Sequence, residues 1–174
     1  MNAVVVYESH WGNTAAVARA IAAGIGPETQ VLTTDEATAS AIASADLIVA
    51  GAPVIAFGLP GARGEAALKQ AAETSPTPPD LSHSSLRSWL ERLPAGHGAA
   101  AAFETRVRWS PGGATGTIEK RLAAAGYQPI AKGGRFLVAG QYGPLRDGEL
   151  EKATEFGRRI AVAAGMEPAA AAAR

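Results

Sequence analysis

The chain has 174 residues, with 16 Lys plus Arg against 16 Asp plus Glu, three His and no Cys. That length suits one domain with a real core, and 47% hydrophobic residues, much of it alanine, exclude a disordered chain. Zero formal charge argues against a nucleic-acid binder, which needs a basic surplus to neutralise phosphates. Missing cysteines exclude disulfides, thiolate metal sites and cysteine nucleophiles. Val4-Val5-Val6 lacks the charged preface of a signal peptide, and the longest apolar run, Leu47 to Phe57, is too short to span a bilayer and contains Pro53. The expectation is a cytoplasmic protein with no membrane span and no nucleic-acid partner.

In chain order, Val4–Tyr7 reads as a first strand and Asn13–Gly24 as an alanine-rich helix. Gln30–Thr33 is a second strand, followed by a short helix over Ala37–Ala45 and a third strand over Leu47–Ala50. Helices are expected over Glu65–Glu73 and Leu86–Leu93, separated by Thr74-Ser75-Pro76-Thr77-Pro78-Pro79, a surface loop because three prolines remove donors and restrict the backbone. Ala100–Phe103 is a fourth strand, Thr117–Ala125 a helix, Arg135–Val138 a fifth strand and Glu149–Ala164 a closing amphipathic helix. Continuously apolar strands alternating with helices point to an α/β domain with a doubly wound parallel sheet. One domain is expected over 1–166, with a flexible alanine-rich tail over 167–174.

The segment Ser9-His10-Trp11-Gly12-Asn13-Thr14 joins the first strand to the first helix. Such a loop offers free N–H groups at the positive end of a helix, which suits an anion. No Gly-Lys-Ser/Thr and no Gly-x-Gly-x-x-Gly occurs here, so neither a P-loop nor a dinucleotide fingerprint explains it. The plainer alternative is that Asn13 and Thr14 cap the helix and Gly12 serves the turn.

These residues resemble the FMN phosphate loop of the flavodoxins, Ser/Thr-x-Thr-Gly-Asn-Thr. The resemblance extends to Asp46–Pro53, similar to the third strand entering the first flavin loop, to Phe103-Glu104-Thr105-Arg106 at the second flavin loop, and to Gly143–Leu150. It implies a five-stranded parallel sheet ordered 2-1-3-4-5 with the ligand beyond the carboxyl ends of the strands. It also implies FMN as cofactor, with the phosphate held by Ser9, His10, Trp11, Gly12, Asn13 and Thr14. The isoalloxazine would lie between Pro53-Val54-Ile55-Ala56-Phe57-Gly58 and a second loop containing Glu104, Thr105, Arg106 and Trp109. Trp109 is the favoured stacking residue, Phe57 an even choice between ring cover and core, and Trp89 core.

The sequence departs from the family where Val54 and Ile55 stand in place of a Thr and an aromatic or His. A lost hydroxyl contact and a lost stack cost about 1 kcal/mol each, so weakened FMN binding is expected. Arg106 and Arg108 lie where the family's reduced flavin carries negative charge at N1, which implies a less negative potential. The partner is an unknown redox protein or small-molecule acceptor, and carrier and reductase stay open. The alternative is a fold of this kind that serves as an interaction module without flavin. His83 and His97 have no acidic or His cluster around them, so no metal site is expected.

Overall fold

The computed structural model describes residues 1–170. Three short apolar strands, β1 (Ala3–Tyr7), β2 (Gln30–Thr33) and β3 (Leu47–Pro53), pair in parallel, with β1 in the middle. β3 also pairs in parallel with β4 (Ala99–Val107), the longest strand. The outer edge of β4 is filled by two pieces, β5 (Gln128–Pro129) against Ala99–Ala100 and β6 (Gly134–Val138) against Phe103–Val107. The order is therefore 2-1-3-4 followed by an interrupted fifth position, and all pairings within it are parallel. The expected fifth strand corresponds to β6, and the short β5 is additional. Pro129 lacks the N–H to extend a ladder, and Gly133-Gly134 follows, so the strand breaks there.

Helices cover both faces. α1 (Asn13–Ile25) and α6 (Glu149–Ala163) pack on one face over Val5, Val49, Phe103 and Phe136. α2 (Ala39–Ile42), α4 (Leu86–Glu91) and α5 (Thr115–Ala124) cover the other face with Ile42, Leu86, Trp89, Ile118 and Leu122, while α3 (Ala62–Thr74) buries Leu68 and Ala71 outside that cluster. Trp89 is core, as expected, and its indole N–H donates to the Ala37 carbonyl at 2.7 Å. β1 and β3 are buried on both faces, which is why their sequences are apolar rather than alternating.

The tail expected over 167–174 falls in part outside the described residues. Residues 167–170 carry no helix or strand, but Ala169 N–H donates to the Gly24 carbonyl at 3.3 Å, so this stretch lies along α1. Among the described residues no helix is long and apolar enough to cross a membrane, and no group of three His, Cys, Asp or Glu is placed to hold a metal ion.

Candidate functional site

β1 ends at Tyr7, and the chain turns at Gly12 (φ 81) before entering α1. In this left-handed conformation a Cβ is unfavourable, although no atom lies within 4 Å of where it would stand. Among the described residues, none of the backbone N–H groups from Ser9 to Thr14 donates to a protein acceptor. The first amide to be satisfied is Ala15, which donates to Ser9 Oγ at 3.2 Å. Six successive unpaired amides at a helix N-terminus offer donors that suit an anion.

Asn13 and Thr14 do not cap the helix. Thr14 Oγ1 meets Thr105 Oγ1 at 2.8 Å, both side chains buried, which ties the loop to the end of β4. Asn13 Nδ2 donates to the Tyr142 carbonyl at 3.1 Å, which ties it to the turn after β6. Gly143 (φ 102) permits that approach, since a Cβ there would stand 2.6 Å from the Asn13 amide.

From this loop a cavity of about 350 Å³ opens beyond the carboxyl ends of β1, β3, β4 and β6. His10, Trp11, Asn13 and Thr14 border one end of it. Pro53, Val54, Ile55 and Ala56 line one wall, and Thr105 and Arg106 belong to the other. Ten of the sixteen residues expected from sequence thus share one cavity, a size ordinary for a small-molecule site. A cavity of equal volume at the opposite end of β1, lined by Ile25, Pro27 and Met166, holds none of them.

The other six expected residues take different positions. Ser9 is buried with its Oγ on the Ala15 amide, and Gly12 makes the turn into α1. Ile55 and Gly58 exchange backbone hydrogen bonds at 3.0 and 3.3 Å around a two-residue turn in which Ala56 (φ 49) and Phe57 (φ 76) both have positive φ. That is the I′ pattern, normally the province of Gly, Asn and Asp, and it costs of order 1–3 kcal/mol per residue here. The turn is pinned where Gly113 N–H donates to the Phe57 carbonyl at 3.2 Å. Phe57 is 65% exposed and outside the cavity, so it is neither core nor ring cover in this conformation. Trp109, 74% exposed, likewise stands off the cavity wall.

Glu104 corrects the sequence expectation. It is fully buried and does not border the cavity. Its Oε2 accepts from the N–H groups of Ala114 and Thr115 at 2.6 and 3.0 Å, which caps the start of α5, and its Oε1 pairs with Arg106 at 2.9 Å. Arg106 also donates to the carbonyls of Gly112 and Ser110. Its charge is matched by Glu104, so the expected effect of a free Arg106 on a flavin is withdrawn. Arg108 is exposed and, among the described residues, makes no ion pair.

His10 is a second correction. Its Nε2 lies 2.9 Å from Glu8 Oε1 and its Nδ1 2.7 Å from the Asp80 carbonyl, so the ring has no nitrogen free for a phosphate. Burial disfavours its charged form, but the Glu8 carboxylate and the Asp80 carbonyl prevail and hold its pKa above the ordinary histidine value. Trp11 donates from Nε1 to the Thr77 carbonyl at 2.9 Å and its ring lies 5.0 Å from that of Tyr142.

Residues not anticipated are Ala67 and Leu68 of α3, Val107, Val138 and Gln141. Gln141 had a signal: it follows a parallel strand, inside the glycine-bounded turn Gly140–Gly143, where this class of fold carries its ligands.

The architecture matches that of a flavodoxin from the domain Archaea over 95% of this chain and 99% of that one, with a TM-score of 0.66 and 23% identity. The chain has the flavodoxin fold. Flavodoxin 1 from Bacillus cereus is similar over 90% of this chain and 95% of its own, with a TM-score of 0.61 and 17% identity. The same flavodoxin fold accounts for 36% of rubredoxin oxygen:oxidoreductase from Desulfovibrio gigas, which covers 94% of this chain with a TM-score of 0.59 and 16% identity. No family model and no curated protein sequence matches the chain.

Proposed function

We propose that the protein binds FMN and serves as a flavodoxin-like redox protein. The observation that carries this reading is the run of six unpaired amides at Ser9–Thr14, bordering a largely apolar cavity. These amides fit a phosphate. The walls formed by Pro53, Val54, Ile55, Ala56, Val107 and Val138 fit a flat apolar ring system. When bound, FMN supplies one- and two-electron transfer.

The chain's own residues bind and orient. The Ser9–Thr14 amides hold the phosphate, with hydrogen bonds to a charged group at about 1.5–3 kcal/mol each. Thr14–Thr105 and Asn13–Tyr142 fix the loop against the two strand ends that border the ring's end of the cavity. Val54 N–H is already spent on the Thr105 carbonyl at 2.9 Å, so that wall contributes packing rather than polar contacts. Affinity therefore rests on the phosphate, and riboflavin should bind far more weakly than FMN.

The test is a fluorescence titration of the apo protein with FMN and riboflavin. Quenching of FMN at micromolar protein, with riboflavin at least tenfold weaker, supports the reading. No quenching overturns it and leaves the interaction-module alternative.

A further inference from the structure

The proline-containing segment 75–86, which the FMN reading leaves without a role, runs antiparallel across the outer side of the phosphate loop and is fastened at every step. Leu86 N–H donates to Glu8 Oε2 at 2.7 Å, and His83 Nε2 lies 2.8 Å from the Ser9 carbonyl. Asp80 N–H donates to the His10 carbonyl at 2.7 Å while His10 Nδ1–H donates back to the Asp80 carbonyl, also at 2.7 Å. Trp11 Nε1–H closes the series on Thr77. Loop residues 8, 9, 10 and 11 thus meet residues 86, 83, 80 and 77, one rung for every three residues of the segment.

These rungs decide where the loop's amides face. A trans peptide is planar and sets C=O and N–H in opposite directions. The Ser9 carbonyl shares its peptide with the His10 N–H, and the His10 carbonyl shares its own with the Trp11 N–H. Turning both carbonyls outward onto His83 and Asp80 therefore turns both amides inward, toward the anion. We propose that residues 75–86 are a strap that holds the phosphate loop in its anion-binding shape, with His10 as the positioning residue that locks it. Its effect on phosphate binding rests on the FMN reading, whereas the strap's hold on the loop does not.

The lock depends on one proton. Nδ1 faces a carbonyl and must carry hydrogen, so Nε2 can donate to Glu8 only in the imidazolium form. Loss of that proton turns a lone pair on the carboxylate. The charged and titratable groups around the ring are Glu8 just after β1, Asp80 and His83 from the strap, Glu65 and Lys69 from α3, and Arg106 on the cofactor side, already paired with Glu104. Because the folded pKa of His10 is raised, the lock is complete below the ordinary histidine value and weakens as pH rises through the folded value. The FMN phosphate stays doubly charged above about pH 7, so a change in that window belongs to the protein.

The experiment measures the FMN and riboflavin dissociation constants of the wild type, His10→Leu and the single-rung variants Trp11→Phe and His83→Leu. His10→Leu is expected to lose roughly tenfold to a hundredfold in FMN affinity while riboflavin affinity changes less than about threefold. Each single-rung variant is expected to lose less, again only for FMN. Wild-type discrimination between the two ligands is expected to fall as pH is raised upward from the ordinary histidine value, and that of His10→Leu to stay flat. A discrimination ratio unchanged in all three variants overturns the proposal. Should wild type bind no FMN, the FMN reading fails on its own, and inorganic phosphate replaces FMN as the probe. Phosphate-induced amide shifts at Ser9–Thr14 in wild type, lost in His10→Leu, then support the strap. Identical shifts in both, or none in wild type, overturn it.

Discussion

Glu104 shows how one buried carboxylate organises a loop. It caps the first amides of α5, neutralises Arg106 and lies 3.5 Å from Arg135. Glu104→Gln keeps an oxygen for the amides but leaves the Arg106 guanidinium, only 9% exposed, without its counter-charge. Breaking a buried pair on one side costs about 3–5 kcal/mol, so the urea midpoint of Glu104→Gln should drop steeply, and adding Arg106→Met should recover part of the loss. Recovery of nothing would show that capping, not charge matching, is the main role. A second residue-scale expectation concerns pH. Asp35, Glu36 and Asp80 have lowered pKa values because Ser84, Thr33 and Ser82 respectively donate to them. Their stabilisation is present above the ordinary carboxylate range and lost as pH falls through their folded values. His10 runs the other way, its contribution fading as pH rises through its raised value. Stability by urea denaturation should therefore peak between these limits, and His10→Leu should remove the alkaline decline.

At the scale of elements, α1 and α6 cross where neither can carry a side chain. A Cβ on Gly24 would stand 2.0 Å from the Thr154 carbonyl oxygen, and one on Gly157 would stand 2.1 Å from that of Ile21. Glycine in a helix costs about 1 kcal/mol relative to alanine, and close approach of the two backbones offsets it. Gly157→Ala should thus destabilise by roughly 1–3 kcal/mol through overpacking. Gly116→Ala in α5, with no atom within 4 Å and no positive φ, should instead stabilise by a few tenths to about 1 kcal/mol. Opposite signs in thermal melts are the expected outcome. These examples also show what a sequence reveals. Val4–Tyr7 and Leu47–Ala50 are legible because a strand covered on both faces must be apolar along its length. The loop over Ser9–Thr14 is legible because a glycine and short polar residues stand between a strand and a helix. The turn at Ala56–Phe57 is not, since neither residue favours positive φ and tertiary bonds to Gly58 and Gly113 impose it. The roles of Glu104 and His10 escape for a similar reason: their partners lie 10 and 70 residues away, at Ala114 and Asp80.

For the whole molecule, balanced charge makes a kinetic statement. Formal net charge of the chain is zero, so any long-range field of the loaded protein comes from the cofactor, whose phosphate is doubly charged above about pH 7. With Arg106 paired to Glu104, the loop beside the cavity offers Arg108, which makes no ion pair among the described residues. Long-range steering changes association rates by roughly 10- to 1,000-fold where a cleft carries one sign of charge. If FMN is bound and reduced, its oxidation by hexaammineruthenium(III), a cation, should therefore slow as salt rises, and its oxidation by ferricyanide, an anion, should quicken. The Debye length shrinks from about 30 Å at 0.01 M to about 3 Å at 1 M, which removes the field over that range. Arg108→Gln should enlarge the rise for the anion, because it removes a positive charge beside the flavin. Stopped-flow oxidation of the photoreduced protein, with each rate corrected for the reagent alone, measures this directly. A fall for the anion that survives Arg108→Gln would mean that Arg106 is not neutralised in solution, and would restore it as a determinant of the flavin's potential.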